Sequence, residues 1–342
     1  MKEETERRLL RRLGLQRVDP AALTIVRMAR GRGFTYLDDQ GLLIRDGTVR
    51  TRLAALAIPP AWKDVRIAAD ARAHLQAIGR DDAGRLQYIY HADWVLVREV
   101  NKINRLATFG RALPRIRATV EHELAVRPIE RATIIAAAVR LIDRAVLRAG
   151  YETYAGTEGG RGAATLLRRH VTVDGDTIAL AFPGKGGRWV RKTVDDPLLA
   201  PVIALLADQR GARLFKEGTG TGARAIVADE INSCLRDIGR AEVTVKDFRT
   251  FHASARAIEL LAPITPARSQ RARNRQIAEV AGDVAMMLQN TPTVARSSYI
   301  HPIVIEAFES DALDRRLLCP KPRKGLTLPE TALMRLLQEF AL

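Results

Sequence analysis

Between residues 34 and 68 apolar and polar positions alternate, in runs separated by turn residues. Phe34-Thr35-Tyr36-Leu37 leads into Asp38-Asp39-Gln40-Gly41, and Leu42-Leu43-Ile44 leads into Arg45-Asp46-Gly47. A period of two bounded by Asp and Gly predicts short strands of a small antiparallel sheet. Pro59-Pro60 ends that section, just before Ala61-Trp62. A second hairpin is predicted over 74–90, with Asp81-Asp82-Ala83-Gly84 as its turn and Gln87-Tyr88-Ile89-Tyr90 as its return strand. The first part of the chain is therefore read as mostly β.

From about residue 95 the period becomes 3.6. Val97, Val100, Ile103, Leu106 and Ala107 fall on one helical face. A second helix is predicted over Ile129–Leu147, lined by Ile134, Ile135, Ala138, Leu141, Ile142 and Ala145, with Gly150 as its stop. Then β character returns. Val171-Thr172-Val173, the turn Asp174-Gly175-Asp176 and Thr177–Phe182 form a hairpin, and the loop Pro183–Gly187 leads to a third strand, Arg188–Thr193. Helices follow over Ile226–Ile238, Asp247–Leu261 and Asn274–Leu288. The reading is α+β: a small N-terminal antiparallel β domain, residues 1–95, and a larger mainly helical domain, residues 96–342, carrying one three-stranded sheet.

Charge narrows the function. The 342 residues include 55 Lys+Arg against 39 Asp+Glu, a formal net charge of +16. The basic residues are spread through the periodic segments rather than gathered in a tail, which favours a folded basic surface and a polyanionic partner, nucleic acid first. The apolar fraction of 47% is enough for a packed core. Cys234 and Cys319 form no CxxC pair, so neither a disulfide framework nor a zinc cluster is suggested. The charged stretch from Met1 to Arg12 is unlike a signal peptide, and no apolar run reaches about eighteen residues, so a cytoplasmic, nucleoid-associated protein without a membrane span is expected.

Several chemistries lose support. Gly218-Thr219-Gly220-Thr221-Gly222 lacks the Gly-Lys-Ser/Thr ending of a phosphate loop. The six histidines have no HExxH or other compact metal-ligand spacing, and there is no GxSxG elbow. A protein that cuts and rejoins DNA without these needs its own nucleophile, cationic phosphate clamps and a proton donor.

Asn290-Thr291-Pro292-Thr293-Val294-Ala295-Arg296-Ser297-Ser298-Tyr299-Ile300-His301-Pro302 offers such a nucleophile, and Asn290 stands nine residues before Tyr299. Other segments accompany it in order: Ile58-Pro59-Pro60-Ala61-Trp62, Gly79-Arg80-Asp81, Arg85–His91, Val146-Leu147-Arg148-Ala149-Gly150, Phe182-Pro183-Gly184-Lys185-Gly186-Gly187 and Val245–His252. Together, from about residue 34 to 310, they resemble the bacterial, poxvirus-like type IB DNA topoisomerases. The resemblance implies that Tyr299 attacks one DNA strand to give a 3′-phosphotyrosyl link, that Arg148 and Arg249 clamp the phosphate, and that Lys185 is the general acid. Asn290 stands where relatives carry Asn or His, so it is expected to donate a hydrogen bond rather than move a proton. Gln87, Tyr88, Tyr90 and Tyr154 are the implied contacts with double-stranded DNA, and both domains are expected to close around the duplex. Tyr151 stands where relatives often have Lys. No cofactor, neither metal nor nucleotide, is required by this scheme. One chain carries every expected site residue, so a monomer without an obligatory protein partner is expected.

Taken singly, the residues have plainer roles. Arg148 could serve the carbonyls of a helix end, Lys185 could be a solvated turn lysine, and Asn290 a helix C-cap. Arg249 near a helix start opposes the dipole there, which favours an anionic ligand. Two other functions stay open at this point. A tyrosine recombinase shares the chemistry but usually carries His-x-x-Arg where this chain reads Lys246-Asp247-Phe248-Arg249, and a non-catalytic DNA binder would explain the charge alone.

Overall fold

The computed structural model describes residues 2–31, 33–125, 129–157, 159–313, 318 and 321–339; the side chains of residues 2–5, 154, 156, 157 and 221 lie outside the description. The chain divides into two compact units, Met1–Lys102 and Ile103–Leu342.

In the first unit helix α1 (Lys2–Leu13) precedes strands β1 (Ile25–Arg30) and β2 (Gly33–Leu37), helix α2 (Gly47–Ala55), and strands β3 (Lys63–Ile67), β4 (Leu75–Arg80) and β5 (Leu86–Tyr90). The strands form one antiparallel sheet in the order β2-β1-β3-β4-β5. Ile25, Val65, Ile67 and Ala77 share its buried face and pack on Leu53 of α2. The predicted alternation over 34–68 thus fails in the middle. Asp46 caps a helix there, its side chain accepting from Val49 N at 2.9 Å, and Leu43 makes only a single bridge to Leu37. Ile58–Trp62 is a turn braced from below: the buried Arg27 guanidinium donates to the carbonyls of Ile58, Pro59 and Trp62 at 3.1, 3.1 and 2.7 Å.

Helix α3 (Trp94–Ala125) contains the division between the units. The second unit continues with α4 (Arg131–Ala145), α5 (Glu152–Thr157), strands β6 (Val171–Asp174), β7 (Thr177–Pro183) and β8 (Trp189–Asp195), and helices α6 (Ala200–Asp208) and α7 (Ala228–Gly239). Last come α8 (Val245–Leu261), α9 (Gln270–Leu288), α10 (Pro292–Ser298), α11 (Pro302–Glu309) and α12 (Leu328–Glu339). The α+β reading holds, with a three-stranded sheet β6-β7-β8 amid helices. Gly218–Gly222 joins two short paired segments, Lys216–Glu217 and Arg224–Ala225.

One predicted helix stop and one predicted cap are corrected, while the helix expected to end at Leu288 does end there. Helix α4 stops at Val146, which takes left-handed φ 54° and ψ 44°, and not at Gly150. Gly150 instead permits a close approach of two loops. At φ +84° it lies so near Gly162 that a Cβ on it would meet the Gly162 backbone at 2.7 Å. Likewise Gln289, at φ 52°, caps α9, so Asn290 lies one residue beyond the cap.

Aromatic packing fixes α8. Phe109 of α3 meets Phe248 and Phe251 edge-on, with centroids 4.8 and 5.4 Å apart; such pairs contribute about 0.5–1.5 kcal/mol each beyond their burial. The start of α8 is tied down by Asp247. Its carboxylate accepts from Thr244 N at 2.8 Å and from Arg105 Nε and Nη2 at 2.6 and 2.9 Å.

Candidate active site

Helix α8 is the spine of the site. Its fifth residue, Arg249, is buried, and one guanidinium nitrogen donates to Val146 O at 2.6 Å while the other donates to Leu288 O at 2.9 Å. Those carbonyls end α4 and α9, where intrahelical donors have run out. The mismatch between Arg249 and the dipole of its own helix is therefore offset by two other helix C-termini, without any anion. Nε is left buried with no regular hydrogen bond. Ser254, further along α8, donates to Tyr299 O at 3.3 Å and accepts from His301 N at 3.0 Å, so one helix holds both Arg249 and the main chain of the tyrosine.

Arg148 sits beyond α4, not at its last turn, so the helix-end role does not apply. Its loop is held by main-chain bonds: Ala163 N donates to Arg148 O, and Ala164 N to Ala149 O, both at 2.8 Å. The half-buried guanidinium donates through Nη2 to Asn290 Oδ1 at 2.5 Å. That bond leaves Asn290 Nδ2 buried without a regular partner. Asn290 N in turn donates to Ala285 O at 2.9 Å, closing the end of α9.

Tyr299 ends α10, which Thr291 caps and Pro292 opens. Its ring lies under Arg249, with Cζ 4.9 Å from the centroid. Burial alone would raise the phenol pKa, but Arg249, Arg148 and Asn290 outweigh it and the net shift is downward. Conversely, burial, reinforced by the neighbouring Arg148, pushes Arg249 down to about 10 despite the opposing pull of Tyr299. Arg148, Arg249, Asn290 and Tyr299, from three separate stretches of sequence, thus converge.

Lys185 is set apart from these four. It lies in the β7–β8 turn, exposed, among glycines with positive φ at 186 and 187. The turn is closed by Gly184 N donating to Arg188 O at 2.7 Å. An open groove has Arg148, Lys185, Trp189 and Asn290 along its walls, so the lysine shares a face with the clamp. Beside it Trp189 is 56% exposed. Lys192 escaped the motif reading. Its signal was present: in β8 the inward positions read Val190, Lys192, Val194, a lysine on an otherwise apolar face.

In the first unit Tyr88 and Tyr90 project from the edge strand β5, 45% and 38% exposed, with rings nearly parallel at 6.2 Å. Trp94 continues the stack. Gln87 faces the other way and donates to Asp81 Oδ2 at 2.9 Å, while Asp81 Oδ1 accepts from Ala83 N and Arg85 N to form the turn. The two tyrosines are therefore not core packing. The side chain of Tyr154 and all of Cys319 lie outside the described residues. Tyr151 accepts from Asn232 Nδ2 at 3.3 Å. Among the described residues no cluster of three or more His, Cys, Asp or Glu could hold a metal ion, and no helix is long and apolar enough to cross a membrane.

Residues 92–315 match the family of the eukaryotic DNA topoisomerase I catalytic core, well over half of the chain. The chain belongs to the type IB DNA topoisomerases. Residues 33–81 match the bacterial DNA topoisomerase IB N-terminal domain. DNA topoisomerase 1B of Acanthamoeba polyphaga mimivirus is 28% identical over 268 residues, covering 76% of this chain and 80% of the relative. The chain is thus a topoisomerase that acts on DNA, and the recombinase and non-catalytic readings fall. Within this type IB enzyme, the N-terminal match covers β2 to β4, and the core match takes in Arg148, Lys185, Arg249, Asn290 and Tyr299.

Proposed function

We propose that the enzyme relaxes positive and negative supercoils by cutting one DNA strand with Tyr299 and rejoining it. The observation that carries this reading is the convergence on Tyr299 of two buried donors that make no regular hydrogen bond, Arg249 Nε and Asn290 Nδ2, which together with Arg148 lower the pKa of the tyrosine. Buried donors without regular hydrogen bonds cost free energy unless something accepts from them. A phosphodiester supplies two non-bridging oxygens that can.

In this reading Arg148, Arg249 and Asn290 hold those oxygens and stabilise the charge that grows in the transition state. The Tyr299 oxygen loses its proton and bonds to phosphorus, the P–O5′ bond breaks, and Lys185 gives a proton to the departing O5′. The products are a 3′-phosphotyrosyl link and a free 5′-hydroxyl. Torsion turns the free end, and the hydroxyl then attacks phosphorus to expel Tyr299. One phosphoester replaces another at each step, so the cycle needs no nucleotide energy. The N-terminal unit contributes DNA contacts through Gln87, Tyr88 and Tyr90, and one copy of the chain suffices.

The test is covalency and its polarity. Duplex labelled at either end of the cleaved strand is stopped with denaturant after mixing with enzyme. The expected result is protein attached only to the fragment ending in a 3′-phosphate. Attachment to a 5′-phosphate, or none, contradicts the proposal.

A further inference from the structure

Lys192 is a half-buried cation that this mechanism does not use. On the apolar face of β8, between Val190 and Val194, an ammonium is costly unless it is hydrogen-bonded. Its partner is a neutral main-chain carbonyl: Nζ donates to Met287 O, in the last turn of α9. A cation there also interacts favourably with the negative end of the helix dipole. Burial, helped by the nearby charge of Arg249, pushes its pKa down to about 8.

The position of this bond matters more than its strength. Lys185 is exposed and makes no hydrogen bond or ion pair among the described residues, so its place follows from the strands that flank it. Strand β7 is fastened on one side, where Arg161 N donates to Pro183 O at 2.7 Å and joins the hairpin to the loop against Arg148. Strand β8 is fastened on the other by Lys192. Among the described residues, no other hydrogen bond joins the hairpin to α9. Met287 precedes Asn290 by three residues, so the tether ends beside the group that binds Arg148.

We propose that Lys192 is a positioning residue: its hydrogen bond to the Met287 carbonyl fixes the hairpin bearing Lys185 against the end of α9 bearing Asn290, so that proton donor and phosphate clamp share one frame. This rests on Lys185 being the general acid. A lysine serving stability alone would affect cleavage of any substrate equally. A tether for Lys185 affects only cleavage that needs the leaving-group proton.

The experiment is single-turnover cleavage of two duplexes by wild type, Lys192→Met, Lys192→Arg and Lys185→Ala. One duplex has the ordinary phosphodiester, and the other has sulfur in place of the bridging 5′-oxygen. When sulfur leaves, the P–S5′ bond breaks to a thiolate that needs no proton donor. Lys192→Met is expected to slow cleavage of the oxygen substrate on the order of 10–100-fold, the scale of a small misplacement of a catalytic group. On the sulfur substrate it should return to the wild-type rate, as Lys185→Ala should. Lys192→Arg, which can still donate to Met287, should stay near wild type on both. Equal slowing on both substrates, or no slowing of Lys192→Met, overturns the inference while leaving the role of Lys185 intact. If Lys185→Ala itself shows no recovery with sulfur, the general-acid assignment fails and the inference fails with it. Should Lys192→Met not fold, Lys192→Gln is judged by the same ratio of rates.

Discussion

Arg148 Nη2 and Asn290 Oδ1 lie 2.5 Å apart, joining the loop after α4 to the residue just beyond the cap of α9. The bond orients the asparagine: with Oδ1 occupied by Arg148, Nδ2 is the end left to donate. Asn290→Ala should therefore lose one donor to the reacting phosphate and slow single-turnover cleavage by roughly 10²–10³-fold, the usual cost of removing one such donor. Asn290→Asp should be equally slow, because it keeps the acceptor for Arg148 and deletes the donor. Cleavage near the wild-type rate in Asn290→Asp would show that Nδ2 does not donate.

Arg148 and Arg249 should separate by stability. Arg249 holds the carbonyls that end α4 and α9, whereas the guanidinium of Arg148 meets a side chain in a loop. Arg249→Ala is expected to lower Tm and abolish cleavage, leaving buried carbonyls unpaired at about 1–3 kcal/mol each. Arg148→Ala should abolish cleavage with little change in Tm. Thermal melts beside adduct formation check this, and equal loss of Tm in both variants contradicts it.

A buried charge network sets a pH limit on folding. His252 of α8 contacts Asp143 of α4 at 2.8 Å and Glu330 of α12 at 3.3 Å, and Arg117 of α3 bonds both carboxylates. Burial alone would lower the His252 pKa, but its bonds to the two carboxylates outweigh burial and raise it to about 9. A raised folded pKa means that the contribution of His252 is complete below its unfolded value of about 6.5 and disappears as pH rises through about 9. Glu330, also desolvated but held down to about 2 by His252 and Arg117, contributes above its ordinary range and loses that contribution as pH falls toward 2. The Tm advantage of wild type over His252→Gln should shrink between pH 7 and 9.5. An advantage constant across that interval would contradict the assignment.

Gly162 is a spacer for the catalytic loop. A Cβ there would come within 2.6 Å of Arg148 O and of Gly150 N, both main-chain atoms that cannot yield cheaply. Gly162→Ala should displace Arg148 and depress cleavage more than DNA affinity. Gel-shift affinity and adduct yield measured together give the answer; an unchanged yield would show that the loop tolerates the shift.

The chemistry was more legible in the sequence than the frame that holds it. Tyr299, Arg148, Arg249 and Asn290 could be named from ordered motifs, and the β6-β7-β8 hairpins from alternation and Asp-Gly turns. Helix α2 was hidden because Gly47–Ala55 offers few apolar positions, with Leu53 alone buried, so its start depends on the Asp46 cap. Strand β1 was overlooked because Ile25–Arg30 buries only Ile25 and Arg27 on its alternating face, and a buried arginine reads as surface until its carbonyl partners are known. The stop at Val146 required a left-handed non-glycine residue, which composition does not announce, whereas Gly150 announced a stop that it does not make. Lys192 needed its carbonyl partner on α9, a contact across 95 residues of chain.

The central claim is that Tyr299 is the strand-cutting nucleophile of a supercoil-relaxing enzyme. Its most direct measurement is relaxation of positively and negatively supercoiled plasmid in EDTA without nucleotide, by wild type and by Tyr299→Phe. The account predicts that wild type relaxes both and that the phenylalanine variant binds plasmid yet leaves both supercoiled. Relaxation by Tyr299→Phe, or none by wild type, would contradict it.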